Sequence, residues 1–296
     1  PLIDYNFSLT LLTFALLGIG NTILQVSLNP MIAQVVSEKK MASILTLGQF
    51  VKAISSFLGP VIAGIAASYW GNWKLIFVVY AGTTLLAGIW LLLSIDTDRP
   101  QNVKTTTSFR SALALFSDKI ILWLFIGILA VVGIDVGLNT HIPKLLMAQT
   151  GLSLNEAGLG TSLYFISRTA GTFFGALLLT RIDSKIFMQS GMIIAIAAFA
   201  ALLVSDQLWL LLLWIVIIGL ACSNVFSILF SYALKHKPEH ANEISALMIM
   251  GVSGGALIMP FMGALSDGYG QIAGLLPLLL CMVYLLWTTG KLGKQS

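Results

Sequence analysis

The sequence predicts an all-α membrane protein, a polytopic helical bundle, and three observations carry that prediction. Of its 296 residues, 57% are apolar and only 9% are charged, about a third of the charge of an ordinary soluble domain. The mean hydropathy is +0.94. The apolar positions also fall in runs of roughly twenty, the length of a spanning helix, and not in short alternating stretches. A water-soluble globule is thereby excluded. The net charge of +4 comes from basic residues scattered in short loops without interleaved aromatics, a pattern that suits orientation in a bilayer and not nucleic-acid binding. Cys222 and Cys281 both lie inside apolar runs and read as small buried hydrophobes, with no disulfide framework.

Taken in order, the apolar runs predict about nine spans: 9–36, 41–69, 74–94, 120–138, 157–179, 185–204, 208–234, 243–262 and 272–289. The loop after the first span, assigned to the cytoplasm, puts Lys39, Lys40, Arg99, Lys104, Arg110, Lys119, Arg181, Lys185, Lys235, Lys237, Lys291 and Lys294 inside, leaving Lys74 and Lys144 outside and Lys52 and Arg168 within the membrane, which accounts for all 16 basic residues. Positive charge gathers on the cytoplasmic side, so the N-terminus is expected outside and the C-terminus inside.

The polar stretch 95–119, with Asp96, Asp98, Arg99, Pro100 and a threonine run, reads as a cytoplasmic linker between the three spans of 1–94 and the six of 120–296. Within it Ser108 can cap a short helix whose Phe109, Ala112, Leu113 and Phe116 share a face, suited to lying on the membrane surface. A repeat supports the division. Gly59-Pro60 followed by Tyr69 and Gly71 is echoed by Met259-Pro260 followed by Tyr269 and Gly270. Spans four to six then lack counterparts in the first half, which predicts about three further helices, on the order of a hundred residues, before Pro1.

Twelve spans in two halves joined by a cytoplasmic linker resemble the major facilitator superfamily, and local motifs narrow the resemblance. The run GIGNTILQVSLNPMIAQ from Gly18 to Gln34, then Leu47-Gly48-Gln49-Phe50 and Gly59-Pro60, resembles the fourth and fifth helices of the fucose/galactose/glucose:proton symporter family. Gly133-Ile134-Asp135-Val136-Gly137 is similar to that family's acidic segment in helix seven, and Ser167-Arg168-Thr169-Ala170-Gly171-Thr172 to its helix-eight motif. Gly254-Gly255-Ala256 with Pro260, Gly263 and Asp267 is similar to its helix-eleven motif. Three positions depart: Gln25 stands where fucose-type members carry glutamate, Lys52 where they carry asparagine, and Ser227 replaces a proline. The resemblance implies a twelve-helix, two-half fold in the bacterial inner membrane with a cytoplasmic C-terminus, a small-molecule substrate of the sugar class, and a proton or other cation as second partner. No cofactor or enzymatic activity is implied.

The polar residues inside the spans are the candidates for transport. Asn21, Gln25 and Asn29 recur every four residues, one helical stripe of amides, and amides in lipid are costly enough that the stripe should face a bundle interior or a watery cavity. Pro30 leaves the Val26 carbonyl without its helical donor beside that stripe. On the next span Thr46, Gln49 and Lys52 step by three. Paired amide donors and acceptors suit sugar hydroxyls, though the same amides also glue helices together in many bundles. Lys52, ~16 Å from the inner end of its span at 1.5 Å per residue, is too deep to snorkel easily and needs an anion or water. Asn224, near a span centre, reads equally as a substrate contact or as packing.

Asp135 lies about fifteen residues into its span, where a carboxylate is expensive as an anion and well suited to taking up and releasing a proton. Arg168, about eleven residues into the following span, is its expected partner; a purely structural ion pair is the alternative reading. Gly171 with Gly175 and Gly251 with Gly255 predict close helix packing. His141, His236 and His240 fall in loops away from any cysteine and form no metal set.

Together these residues predict a secondary transporter moving a neutral sugar with a cation by alternating access, with Gln25, Asn29, Gln49, Lys52 and Asn224 toward substrate and Asp135 with Arg168 toward the proton. An anionic substrate, such as a sugar acid or organic acid, is the alternative within transport, motivated by two mid-membrane cations against one visible carboxylate. A non-transporting sensor or scaffold is the alternative outside it. A membrane enzyme would need clustered nucleophile, base or metal ligands at one depth, and the sequence shows none.

Overall fold

The computed structural model describes residues 7–72, 74–94 and 109–292, which are helical apart from turns, with no strand among them. The long helices are α1 (Phe7–Val35), α2 (Glu38–Trp70) and α3 (Leu75–Ser94), then, after the short α4 (Phe109–Ala114), α5 (Lys119–Thr150), α6 (Leu154–Leu178) and α7 (Ser184–Val204). The rest are α8 (Leu208–Cys222), α9 (Val225–His236), α10 (Ala241–Met250), α11 (Gly254–Tyr269) and α12 (Gln271–Lys291).

Among the described residues, seven helical stretches are long and apolar enough to cross a membrane. Two further helices have the length of a span, α2 at 33 residues and α6 at 25, and α6 carries more polar side chains, including Arg168.

Two expected spans are interrupted. The run 208–234 breaks at Ser223-Asn224, between α8 and α9, where Asn224 turns its amide to the Gly171 carbonyl of α6 instead of leaving it in an apolar interface. The run 243–262 narrows to a 3-10 turn at Gly251–Ser253 and then continues to Tyr269. Here α11 presses so close to α5 that a Cβ at Gly254 would overlap the backbone of Leu129. The expected end of span four at 138 is passed as well: α5 runs to Thr150 straight through Pro143. Proline deprives the carbonyl four residues back of its donor, and the Thr161 hydroxyl of α6 supplies one, donating to the Asn139 carbonyl at 3.3 Å. His141, expected in a loop, is consequently a buried residue of α5.

Polar caps start the helices. Asp118 accepts from the amides of Ile120 and Ile121, Ser153 and Glu156 form a reciprocal capping box on α6, and Asp183 accepts from the amides of Lys185 and Ile186. Such caps satisfy amides that have no partner within the helix. The two glycines of the sequence repeat, Gly71 after α2 and Gly270 after α11, both take positive φ, 63° and 92°, a conformation that a side chain would strain.

The described residues group into two compact units, one within 1–24 and 51–107, the other within 25–50 and 108–296. The first holds α3 and parts of α1 and α2, whose many exposed leucines, such as Leu85 and Leu92, suit contact with lipid. The second holds the core. On α5 the buried Ile121, Leu124, Ile128, Val131, Ile134, Leu138, Ile142 and Leu145 step by three and four along one face. Met188, Met192, Ala195, Phe199 and Leu202 do the same on α7, and Leu275, Leu278, Met282 and Leu285 on α12.

Short α4 differs from its expectation in facing. Ala112 and Leu115 are buried while Leu113 is exposed, because the chain tightens into a 3-10 turn at Leu115–Ser117 and so rotates Leu115 inward. Its proposed cap, Ser108, lies outside the described residues, as do the side chains of Pro60 and Phe109 and the linker positions before 109.

Candidate substrate and proton site

The charged centre is built by α5 and α6. An Asp135 Oδ2 oxygen lies 2.5 Å from Arg168 Nη2, and the Tyr164 hydroxyl donates to Asp135 Oδ1 at 2.7 Å. Both carboxylate oxygens are thus engaged by one face of one helix, since Tyr164 and Arg168 stand four residues apart on α6. Tyr164 is fully buried, whereas the side chains of Arg168 and Asp135 keep 26% and 14% exposure. The Arg168 Nε remains buried without a hydrogen-bond partner among the described residues. Close packing brings these helices to their neighbours: a Cβ at Gly133 would overlap Ile258, at Gly137 Met262, and at Gly171 Ser223.

Tyr164 is the functional neighbour that sequence reasoning passes over. Its signal is the i−4 spacing to Arg168, which places a hydroxyl on the guanidinium's face.

The other sequence candidates are arranged differently. On α1, Asn21 is exposed and Gln25 and Asn29 are half-buried; on α2, Thr46 is buried, Gln49 half-buried and Lys52 exposed. The side chains of Gln25, Asn29 and Gln49 make no hydrogen bond to other described residues, so their donors and acceptors are uncommitted there. Asn224 is fully buried, its amide nitrogen donating to the Gly171 carbonyl at 3.0 Å and to the Ser223 hydroxyl at 2.6 Å, while its Oδ1 has no hydrogen-bond partner among the described residues. Lys52 belongs to the first compact unit, while Gln25, Asn29, Gln49, Asp135, Arg168 and Asn224 belong to the second.

Away from the spans, Asp118 gathers charge at the start of α5. Its Oδ2 lies 2.9 Å from Lys237 Nζ and 3.0 Å from His236 Nε2, and its Oδ1 takes the Ile120 amide at 2.9 Å. Burial alone would push this carboxyl up, but the hydrogen bonds from Lys237, His236 and the two backbone amides outweigh it and hold the group well below the usual carboxylate range. No group of three His, Cys, Asp or Glu residues capable of holding a metal ion occurs among the described residues.

A helical bundle of this kind, with one ion pair set in its apolar interior, defines a membrane transporter. The family model for the Major Facilitator Superfamily matches residues 2–148 and 137–295, and the chain belongs to that superfamily, whose members are transporters and not enzymes. It is 25% identical to the glucose/galactose transporter of Brucella abortus over 100% of this chain and 74% of the relative. It is also 25% identical to the putative glucose/galactose transporter of Helicobacter pylori strain 26695, over 95% of this chain and 73% of the relative. Among solved structures, a variant of the E. coli fucose:proton symporter FucP shares the fold with a TM-score of 0.77 at 16% identity, covering 92% of this chain and 74% of the other.

Proposed function

We propose that this transporter carries a neutral sugar together with a proton by alternating access. The observation that carries the reading is the Asp135 carboxylate held between Arg168 and Tyr164 where α5 and α6 pack together. A buried carboxylate with two donors has two stable conditions: anionic and paired, or protonated and released from the guanidinium. Taking up the proton frees Arg168 Nη2, and with the already unpartnered Nε the guanidinium then offers donors that substrate oxygens can accept. Protonation and substrate capture thereby favour the same condition of the site, which is what symport requires.

The sugar half rests on the uncommitted amides of Gln25, Asn29 and Gln49, whose paired donors and acceptors match vicinal hydroxyls, and on the named substrates of the two relatives. Asn224 holds the Gly171 carbonyl with its amide nitrogen and keeps its buried Oδ1 as an acceptor for a substrate hydroxyl. An anionic substrate is the second reading, because protonating Asp135 leaves the Arg168 guanidinium uncompensated while the site is loaded.

In the same reading residues 1–94 and 120–296 belong to two halves joined by the cytoplasmic linker 95–119, in a bacterial inner membrane with the C-terminus inside. Single cysteines at the exposed positions Arg181 and Glu239 are expected to react with an impermeant maleimide only from inside, and one at Ala148 only from outside. The functional test is uptake of radiolabelled glucose or galactose into vesicles. Accumulation should appear with an imposed pH gradient, acid outside, and collapse with a protonophore. Accumulation that ignores the protonophore, or no uptake of either sugar, would contradict the reading.

A further inference from the structure

Two side-chain hydroxyls, one on α10 and one near the start of α2, donate to backbone carbonyls of α1 and α6 that lack a helical donor. Pro30 has no N–H, so the Val26 carbonyl is orphaned within α1. The Ser245 hydroxyl of α10, itself fully buried, donates to it at 2.9 Å. In the last turn of α6 the Thr180 amide goes to the Leu177 carbonyl at 3.3 Å, which leaves the Ala176 carbonyl without a backbone donor. The Ser43 hydroxyl of α2 donates to that carbonyl at 2.5 Å. The same stretch of α2 is buried in the core of the second unit, with Met41 at 3% and Ala42 at 1% exposure.

We propose that Ser43 and Ser245 form a releasable latch that holds α1 and the start of α2 against α10 and α6 in one of the transporter's two conditions. Each bond joins helices distant in sequence, across 133 and 219 residues. Each also satisfies a carbonyl that no helix turn depends on. Releasing the latch therefore breaks no helical hydrogen bond, and water entering the opened contact can take over both carbonyls. Thr161 and Asn139 make the same kind of bond beside Pro143, but between the consecutive helices α5 and α6. The latch rests on the alternating-access reading above.

The test uses an Ala42→Cys probe in membrane vesicles, with the parent chain and its own Cys222 and Cys281 as the blank. The rate of maleimide labelling from the side of the α1–α2 turn reports how often the latch opens. Ser43→Ala and Ser245→Ala should each raise that rate roughly two- to tenfold, the worth of one hydrogen bond, and Ser43→Thr and Ser245→Thr, which keep the hydroxyl, should restore it. Pro30→Ala gives Val26 a helical donor of its own, so in that background Ser245→Ala should raise the rate little further. Galactose or an imposed pH gradient should change the parental rate. If neither does, alternating access and the latch both fall. If they do, but the alanine variants label at the parental rate, only the latch falls. An undiminished effect of Ser245→Ala in the Pro30→Ala background would show that Ser245 acts by packing and would also overturn it.

Discussion

The polar residues of α5–α6 and those of α1 meet the same apolar environment in opposite ways. On α5 and α6, Asp135, Arg168 and Tyr164 satisfy one another, with both carboxylate oxygens taken. On α1, the half-buried Gln25 and Asn29 leave their amides uncommitted among the described residues. On the reading proposed above, the paired carboxylate resists change until a proton enters it and carries the coupling, whereas the uncommitted amides await a ligand with hydroxyls and carry the recognition, so substitutions in the two regions should fail in different ways.

The sharpest contrast comes from Arg168→Gln. It strands Asp135 in the bundle and should cost about 3–5 kcal/mol of stability, read as a fall in melting temperature in detergent. Asp135→Asn combined with it should recover much of that loss, because no unpaired charge remains. If the double variant is as unstable as the single, the pair is not what links these helices.

Tyr164→Phe removes one donor from the ionised carboxylate and should cost about 2 kcal/mol. A smaller effect is expected from Gln25→Ala or Asn29→Ala, and in a different measurement. Each should raise KM for galactose about tenfold, worth ~1.4 kcal/mol, while leaving the melting temperature unchanged. If these amides instead glue helices, stability falls with KM, and the comparison between the two regions breaks.

The smallest effect is predicted at Asp118, outside the spans. Because its folded carboxyl is held below the ordinary range, the unfolded chain binds the proton more readily as pH falls, so its contribution is complete above about pH 4 and fades below it. Asp118→Ala should therefore destabilise by about 1 kcal/mol at neutral pH, the worth of a helix cap, and converge on the parent in strong acid. A difference that persists in strong acid would contradict this.

What was legible in the sequence follows from how local each signal is. Asp135 and Arg168 stand out because a lone charge in a long apolar run has few ways to be satisfied, and pairing with the opposite lone charge on the next helix is the nearest. Pro30 likewise announces an orphaned Val26 carbonyl. What answers it, Ser245, lies 219 residues away, and one serine among many carries no mark of that role. Tyr164 is intermediate: its spacing to Arg168 is visible, but an aromatic in a membrane helix is ordinary enough to pass unnoticed. The interruption at Ser223-Asn224 sits where those side chains pack against Gly171 and Gly175 of α6, and the one at Gly251–Ser253 where Gly254 meets the Leu129 backbone, tertiary contacts that hydropathy does not register. The same limit applies to α5, whose continuation through Pro143 depends on a hydroxyl from α6.

The central claim is that Asp135 carries the transported proton. Asp135→Asn in vesicles separates the two halves of the cycle: net accumulation driven by a pH gradient requires the site to release its proton, whereas exchange of internal for external sugar does not. The account predicts that the variant loses proton-driven accumulation of galactose while sugar exchange persists at a substantial fraction of the parental rate. Accumulation by Asp135→Asn at the parental level, with parental dependence on the pH gradient, would contradict it.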